Sequence, residues 1–409
     1  MPRLAVAALG LGLATTSASA QDWSQWRGPA RDGLASLKVA GTWPAELKEK
    51  WKVTVGEGYS SPVVAAGKVY VMGRLNEREV VSAVEIESGR LAWQESYSAP
   101  CQINATATVQ HGLGPKSTPL VSGGRLVTLG ICGVLSSWDA TTGKLRWQKD
   151  FGGEFREKTP LFGHAMSAVV EAGLLIAHVG GHDEGALSAF DAATGELRWS
   201  FTGDGPGYAS PIVVDVSGVR QVVTQTQQYI VGLDAASGKL CWKVPFTTRF
   251  VQNIVTPVVH GDKLIFSGLD KGIFALRASR KGSEWVTETV WENSTLSMYM
   301  SSPVVVGDLL FGFSHRNKGQ FFCLDARSGA TLWTSEPRQA ANAALVAAGE
   351  VLLLLTDQAE LIVARASARA FEPLRRYTVA ASPTWAHPAP AGSRLLIKDG
   401  TSLTLWSLE

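Results

Sequence analysis

The chain has 409 residues, 45% of them hydrophobic, and sets 38 lysines and arginines against 36 aspartates and glutamates for a formal net charge of +2. That balance provides neither a basic nucleic-acid surface nor an acidic solvating tail, so no nucleic-acid partner is expected. The length would allow several domains, but one repeat runs through nearly all of it and argues for a single large one.

In chain order, residues 1–20 read as an export signal: Arg3, an apolar core over 4–14, and Ala18-Ser19-Ala20 as a cleavage site before Gln21. The apolar stretch is too short for a comfortable membrane span. No cysteine follows the cleavage site, so a lipid anchor of the bacterial lipoprotein kind has no attachment point and the mature protein is expected to be periplasmic or secreted. Residues 21–46 form an amino-terminal extension, and the repeats occupy 47–409.

Each repeat ends on a tryptophan: Trp51, Trp93, Trp147, Trp199, Trp242, Trp291 and Trp333. Before most of them stands an Asp…Gly turn, as in Asp139-Ala140-Thr141-Thr142-Gly143 and Asp234-Ala235-Ala236-Ser237-Gly238. The aspartate can accept from turn amides while the glycine takes positive φ. Farther upstream sits a Ser/Thr-Pro step: Ser61-Pro62, Thr118-Pro119, Ser210-Pro211, Thr256-Pro257 and Ser302-Pro303. A self-similar unit of roughly 40–55 residues marks a propeller or solenoid. Four short antiparallel strands per unit make a propeller blade, and the tryptophans are expected to fill the gaps between blades.

First strands begin near Pro62, Pro119, Ala168, Pro211, Pro257, Pro303, Ala344 and Pro388, which predicts an all-β, eight-bladed propeller. The last unit has only three strands. Residues 50–55, with Trp51 in the repeat position, are expected to pair with 403–408 and close the ring. The fifth unit has 277–282 where the Asp…Gly turn should be, and the seventh has 365–372 and no tryptophan.

With these features the chain resembles the pyrroloquinoline-quinone-like (PQQ-like) repeats of quinoprotein dehydrogenases and of the outer-membrane assembly lipoprotein BamB. Its opening, Asp22-Trp23-Ser24-Gln25-Trp26-Arg27-Gly28-Pro29-Ala30-Arg31-Asp32-Gly33, is similar to the start of exported PQQ-binding-like repeat proteins. The resemblance implies the propeller fold over the whole mature chain. For a quinoprotein dehydrogenase it also implies adjacent cysteines, a stacking tryptophan, and a carboxylate/Asn set around calcium. This chain has no adjacent cysteines and no CxxCH haem motif, so no cofactor is expected, PQQ with calcium being the alternative.

Four cysteines, Cys101, Cys132, Cys241 and Cys323, match no zinc framework; most are expected as small buried side chains, with Cys101 the best candidate for a bond, to Cys132. No local spacing such as HxxxH points to a metal. Long irregular loops at 98–116, 152–164 and 247–253 lie on one face, where binding is expected. His164, Tyr208, Asn253, Tyr299 and His387 precede inner strands, and Arg249, His315 and Trp385 stand beside them, so these eight are the candidate lining of an axial funnel. The expected role is a monomeric binding or scaffolding module for a protein partner or a polar small molecule such as a sugar. The alternative is an extracytoplasmic enzyme: a PQQ-dependent oxidoreductase, or a carbohydrate-active enzyme with a His/Tyr/Arg cluster in the funnel.

Overall fold

Short runs of alternating apolar residues fold as strands throughout the computed structural model, which describes residues 22–37, 42–100, 103, 109, 111–155 and 158–409. The expected export signal at 1–20 and Cys101 lie outside the described residues. The strands form eight four-stranded antiparallel sheets, the blades of a β-propeller. Blades 1 to 7 span residues 63–98, 120–150, 169–202, 212–245, 258–293, 304–334 and 343–378, each running from the innermost strand outward. Blade 8 takes three strands from 389–407 and its outermost from Lys48–Thr54. There Trp51 pairs with Leu405, Lys52 with Thr404 and Val53 with Leu403. The two chain ends close the ring as the three-stranded last unit requires, and the strand Ser402–Ser407 is paired on both sides.

The repeat tryptophans tie most blades to the next. Six of the seven repeat tryptophans donate Nε1–H to a carbonyl in the last turn of the next blade: Trp51 to Ile86, Trp93 to Ala140, Trp147 to Ala192, Trp199 to Ala235, Trp291 to Ala326 and Trp333 to Ser367. The turn aspartates hold those turns, Asp234 accepting from the amides of Ala236 and Ser237. The turn glycine has two reasons to be glycine. Gly238 has φ +70°, and a Cβ there would stand 2.5 Å from the Trp199 ring.

Trp242 breaks the pattern. Blade 5 has no Asp…Gly turn but a long hairpin, Ile273–Lys281 with Glu284–Asn293, so Trp242 donates instead to Gln221 Oε1 of its own blade at 2.8 Å. Blade 7 carries Arg375 in the tryptophan's register position, and two residues on Tyr377 donates its hydroxyl to the Pro44 carbonyl at 2.6 Å.

The Ser/Thr-Pro steps form a belt near the axis. Ser61 Oγ accepts from the His387 amide, Ser167 Oγ from Thr118, Ser210 Oγ from Ser167 and Ser302 Oγ from Thr256, at 2.8–3.0 Å. A hydroxyl in one blade thus satisfies an amide that a straight inner strand would leave orphaned in the blade before.

Cys132 is disulfide-bonded, whereas Cys241 and Cys323 are free thiols.

Candidate functional site

The amino-terminal extension occupies the channel along the ring axis. Asp22 accepts from the amide of Ala66 at a tight turn of blade 1, and Trp23 pairs with Val64 of that blade's inner strand. The Ser24 carbonyl accepts from Val121 of blade 2. At the far end of the inner strands, Trp26 Nε1 donates to Thr256 Oγ1 of blade 5 at 3.0 Å, and its ring lies 4.4 Å from that of His387 in blade 8. The chain turns at Gly28 and returns, with Leu34 bridging in parallel to Ala347 of blade 7.

Two buried arginines pin this loop. Arg27 donates to the carbonyls of Pro303 in blade 6 and of Asp32; Arg31 donates to Ala168 and Ser167 of blade 3, at 2.9 and 2.8 Å. Neither has a carboxylate within ion-pair reach among the described residues. Burial lowers their pKa values to about 10 and about 9, Asp32 partly offsetting the first and Arg27 adding to the second. Both remain cations at neutral pH.

Above Trp26 the channel opens into a cup of about 440 Å³ on the long-loop face. Every blade contributes to it from just before its inner strand. Blades 1 and 2 supply Tyr59 and Lys116, and blades 3 and 4 supply Phe162 and Tyr208; blades 5 and 6 supply Gln252 and Tyr299, and blades 7 and 8 supply Asn342 with Trp385 and His387. The three long loops deliver His111, Lys116, Phe162, Phe250 and Gln252, so the insertions build the wall.

The rings brace one another. His111 meets Trp385 edge-on at 4.6 Å and Tyr59 at 6.3 Å; Phe162 meets Tyr208 at 5.7 Å. Burial holds both histidines neutral: His111 falls to about 4, with Lys116 contributing, and His387 to about 3, with Arg27 contributing. Burial also raises the Tyr208 and Tyr299 phenols, which stay protonated.

Of the eight candidate residues, the cup unites Tyr208, Tyr299, Trp385 and His387. The other four lie elsewhere. His164 is buried against the carbonyls of Gly180 and Ile131. Asn253 is fully buried and donates to the carbonyls of Thr226, Gln227 and Phe246, stapling the loop before blade 5. Arg249 is exposed, its guanidinium 4.8 Å from the Phe250 ring centroid. His315 is held by the Ser297 carbonyl and Asp270, next to Tyr299 but outside the cup. A His/Tyr/Arg cluster is therefore not assembled, because its arginine stands in solvent. Among the residues that reasoning from sequence passed over are Trp26, Tyr59 and Asn342. Tyr59 and Asn342 do precede inner strands, and that position is the signal that marks them.

A calcium-bound quinone would need oxygen ligands in the cup. Calcium takes roughly six to eight oxygen ligands, carboxylates prominent among them. No carboxylate lines the cup and no group of three His, Cys, Asp or Glu side chains is placed to hold a metal, among the described residues. These residues do not fit that group.

Comparison with known proteins places this geometry. The sequence profile of the family described as "Outer membrane protein assembly factor BamB" matches residues 77–335. The chain belongs to the BamB family. A BamB from Burkholderia pseudomallei is 25% identical over 358 residues, covering 76% of this chain and 86% of the relative; one from Yersinia pestis is 27% identical, covering 57% and 58%. The crystal structure of BamB from Moraxella catarrhalis superposes with a TM-score of 0.62 at 16% identity, over 88% of this chain and 99% of the other. The quinohemoprotein alcohol dehydrogenase of Comamonas testosteroni superposes at 0.67 with 14% identity, over 96% and 81%. At such identities these two likenesses establish the propeller alone. Within the BamB family, this chain's cup is described by its own residues.

Proposed function

We propose that this BamB-family propeller is an extracytoplasmic binding module whose axial cup seats one compact polar ligand, either a free small molecule or a protruding group of a protein partner. One observation carries the reading: all eight blades converge on a single aromatic-lined cup of about 440 Å³, closed below by Trp26. That size lies within the range of small-ligand sites, and aromatic walls with a few polar edges are their usual composition. The relatives named as outer membrane assembly factors support a partner-binding role, and the signal-like residues 1–20 support export.

The test is ligand-induced stabilisation across a panel of small molecules, saccharides and short peptides. Trp385→Ala and Tyr299→Ala serve as cup variants, and Leu197→Ala, on the exposed outer rim, as the control. At least one class should raise the melting temperature of the wild type and of Leu197→Ala but not of the cup variants. Stabilisation that survives both cup changes would move the site elsewhere.

A further inference from the structure

We infer that the cup selects a flat ligand carrying a single negative charge, with Lys116 as its counter-ion. This rests on the cup being the binding site and names the chemistry it takes.

Among the described residues, Lys116 is the only lysine or arginine lining the cup, and no aspartate or glutamate joins it there. Its ammonium has three donors, and among the described residues the Phe162 carbonyl accepts from it at 2.9 Å. No carboxylate lies within ion-pair reach of it among the described residues. Burial lowers its pKa only to about 8, so at neutral pH a mostly charged, half-buried cation faces the cavity with, among the described residues, two donors unused. A partly desolvated charge of this kind is costly unless something pairs with it. The fold supplies no partner, and a ligand anion would.

The field behind the cup has the same sign. Arg27 and Arg31 lie below Trp26 without ion-pair partners, and Arg27 is close enough to depress His387. Glu57 and Asp399 act on Tyr59 from outside the cup, and Asp357, also outside it, is occupied by the amides of Ala341 and Asn342. Asp399 is occupied by the amides of Thr401 and Ser402.

The walls define the rest of the ligand. Trp385, Tyr299, Phe162 and Tyr208 present ring faces and edges from different sides, which suits a planar apolar body more than a branched one. One cation matches one charge. A polycarboxylate would press its remaining charges against aromatic walls with no donor to satisfy them.

Calorimetric titration of the whole protein with 2-naphthoate, 2-naphthamide and 2-naphthylmethylammonium tests this, since the three share a body and differ in charge. Naphthoate should bind at least about tenfold more tightly than the amide, and the ammonium more weakly than both. Lys116→Met should bring naphthoate down to the amide's affinity, and Lys116→Arg should keep the preference, with near-ultraviolet circular dichroism confirming that each variant is folded. An amide that binds as well as the carboxylate, or a preference that survives Lys116→Met, overturns the charge assignment. If in that case Trp385→Ala still abolishes binding of the amide, the cup stands as the binding site without it. If no naphthalene binds, or binding is indifferent to Trp385→Ala, both fall together.

Discussion

The indole of Trp26 lies against the imidazole of His387, centroids 4.4 Å apart and planes tilted by 57°. One residue comes from the extension before the first blade and the other from the loop into the last. Their contact turns an open channel into a closed-bottomed cup.

Removing the plug should therefore change both stability and cavity. Arg27→Ala deletes two hydrogen bonds to carbonyls and leaves a buried void, at a cost of about 3–5 kcal/mol in urea unfolding. Trp26→Ala should cost less, about 2–3 kcal/mol, because the indole is only partly buried, and should open the cup floor to solvent. Retained full stability in both variants would show that the extension is not part of the folded ring.

Two glycines separate backbone strain from packing. Gly238 and Gly218 have nearly the same φ, +70° and +77°, but a Cβ meets Trp199 in the first case and nothing within 4 Å in the second. Gly218→Ala should cost about 1–2 kcal/mol, the left-handed penalty alone. Gly238→Ala should cost about 2 kcal/mol more, measured by thermal unfolding, since the blade-to-blade indole must shift. Equal losses would refute the turn-on-tryptophan contact.

The seam of the ring is a single strand pairing. Deleting the chain up to Thr54 removes the outer strand of blade 8, the Trp51 indole and the plug, and exposes the strand Ser402–Ser407. The truncated protein should melt well below the intact one and associate as concentration rises, by light scattering. Trp51→Ala alone should cost about 3–5 kcal/mol.

His387 makes stability depend on pH in a defined window. Its pKa falls from 6.5 to about 3 on folding, chiefly by burial. Below pH 6.5 the unfolded chain takes up a proton that the folded chain refuses. The neutral-state stability is complete above 6.5 and declines as pH falls toward 3, by up to about 1.4 kcal/mol per pH unit. His387→Gln should flatten that part of the profile relative to wild type between pH 6.5 and 4. Comparing the two cancels the other buried groups, including Glu79, whose raised pKa works in the opposite direction.

Adding pyrroloquinoline quinone and calcium should leave the purified protein without a bound chromophore or dye-linked alcohol oxidation, because no carboxylate lines the cup to hold the metal. A micromolar or tighter titration would contradict this.

The ring was legible in the sequence because each repeated residue does a local job that recurs in most blades. Trp199 needs a carbonyl in the next turn, Asp234 needs its turn amides, and Ser210 needs a neighbour's amide, so all three return at fixed offsets. The plug was opaque: residues 22–35 have no period, and their partners are scattered around seven blades. The cup was half legible. Tyr299 and Asn253 each stand three residues before a Ser/Thr-Pro step, yet one ring faces the cavity and the other side chain is drawn into loop carbonyls. Position along a strand cannot separate those outcomes. Which carbonyls an adjacent loop leaves bare decides them.

The threaded extension also sets an order of assembly. Arg31, Trp26 and Trp51 are synthesised before their partners, which lie in blades 3, 5 and 8. Contacts of such sequence separation close slowly. Residues 22–54 therefore cannot complete their contacts until blade 8 exists, and closing the ring is a late event that joins this segment to strands made long after it.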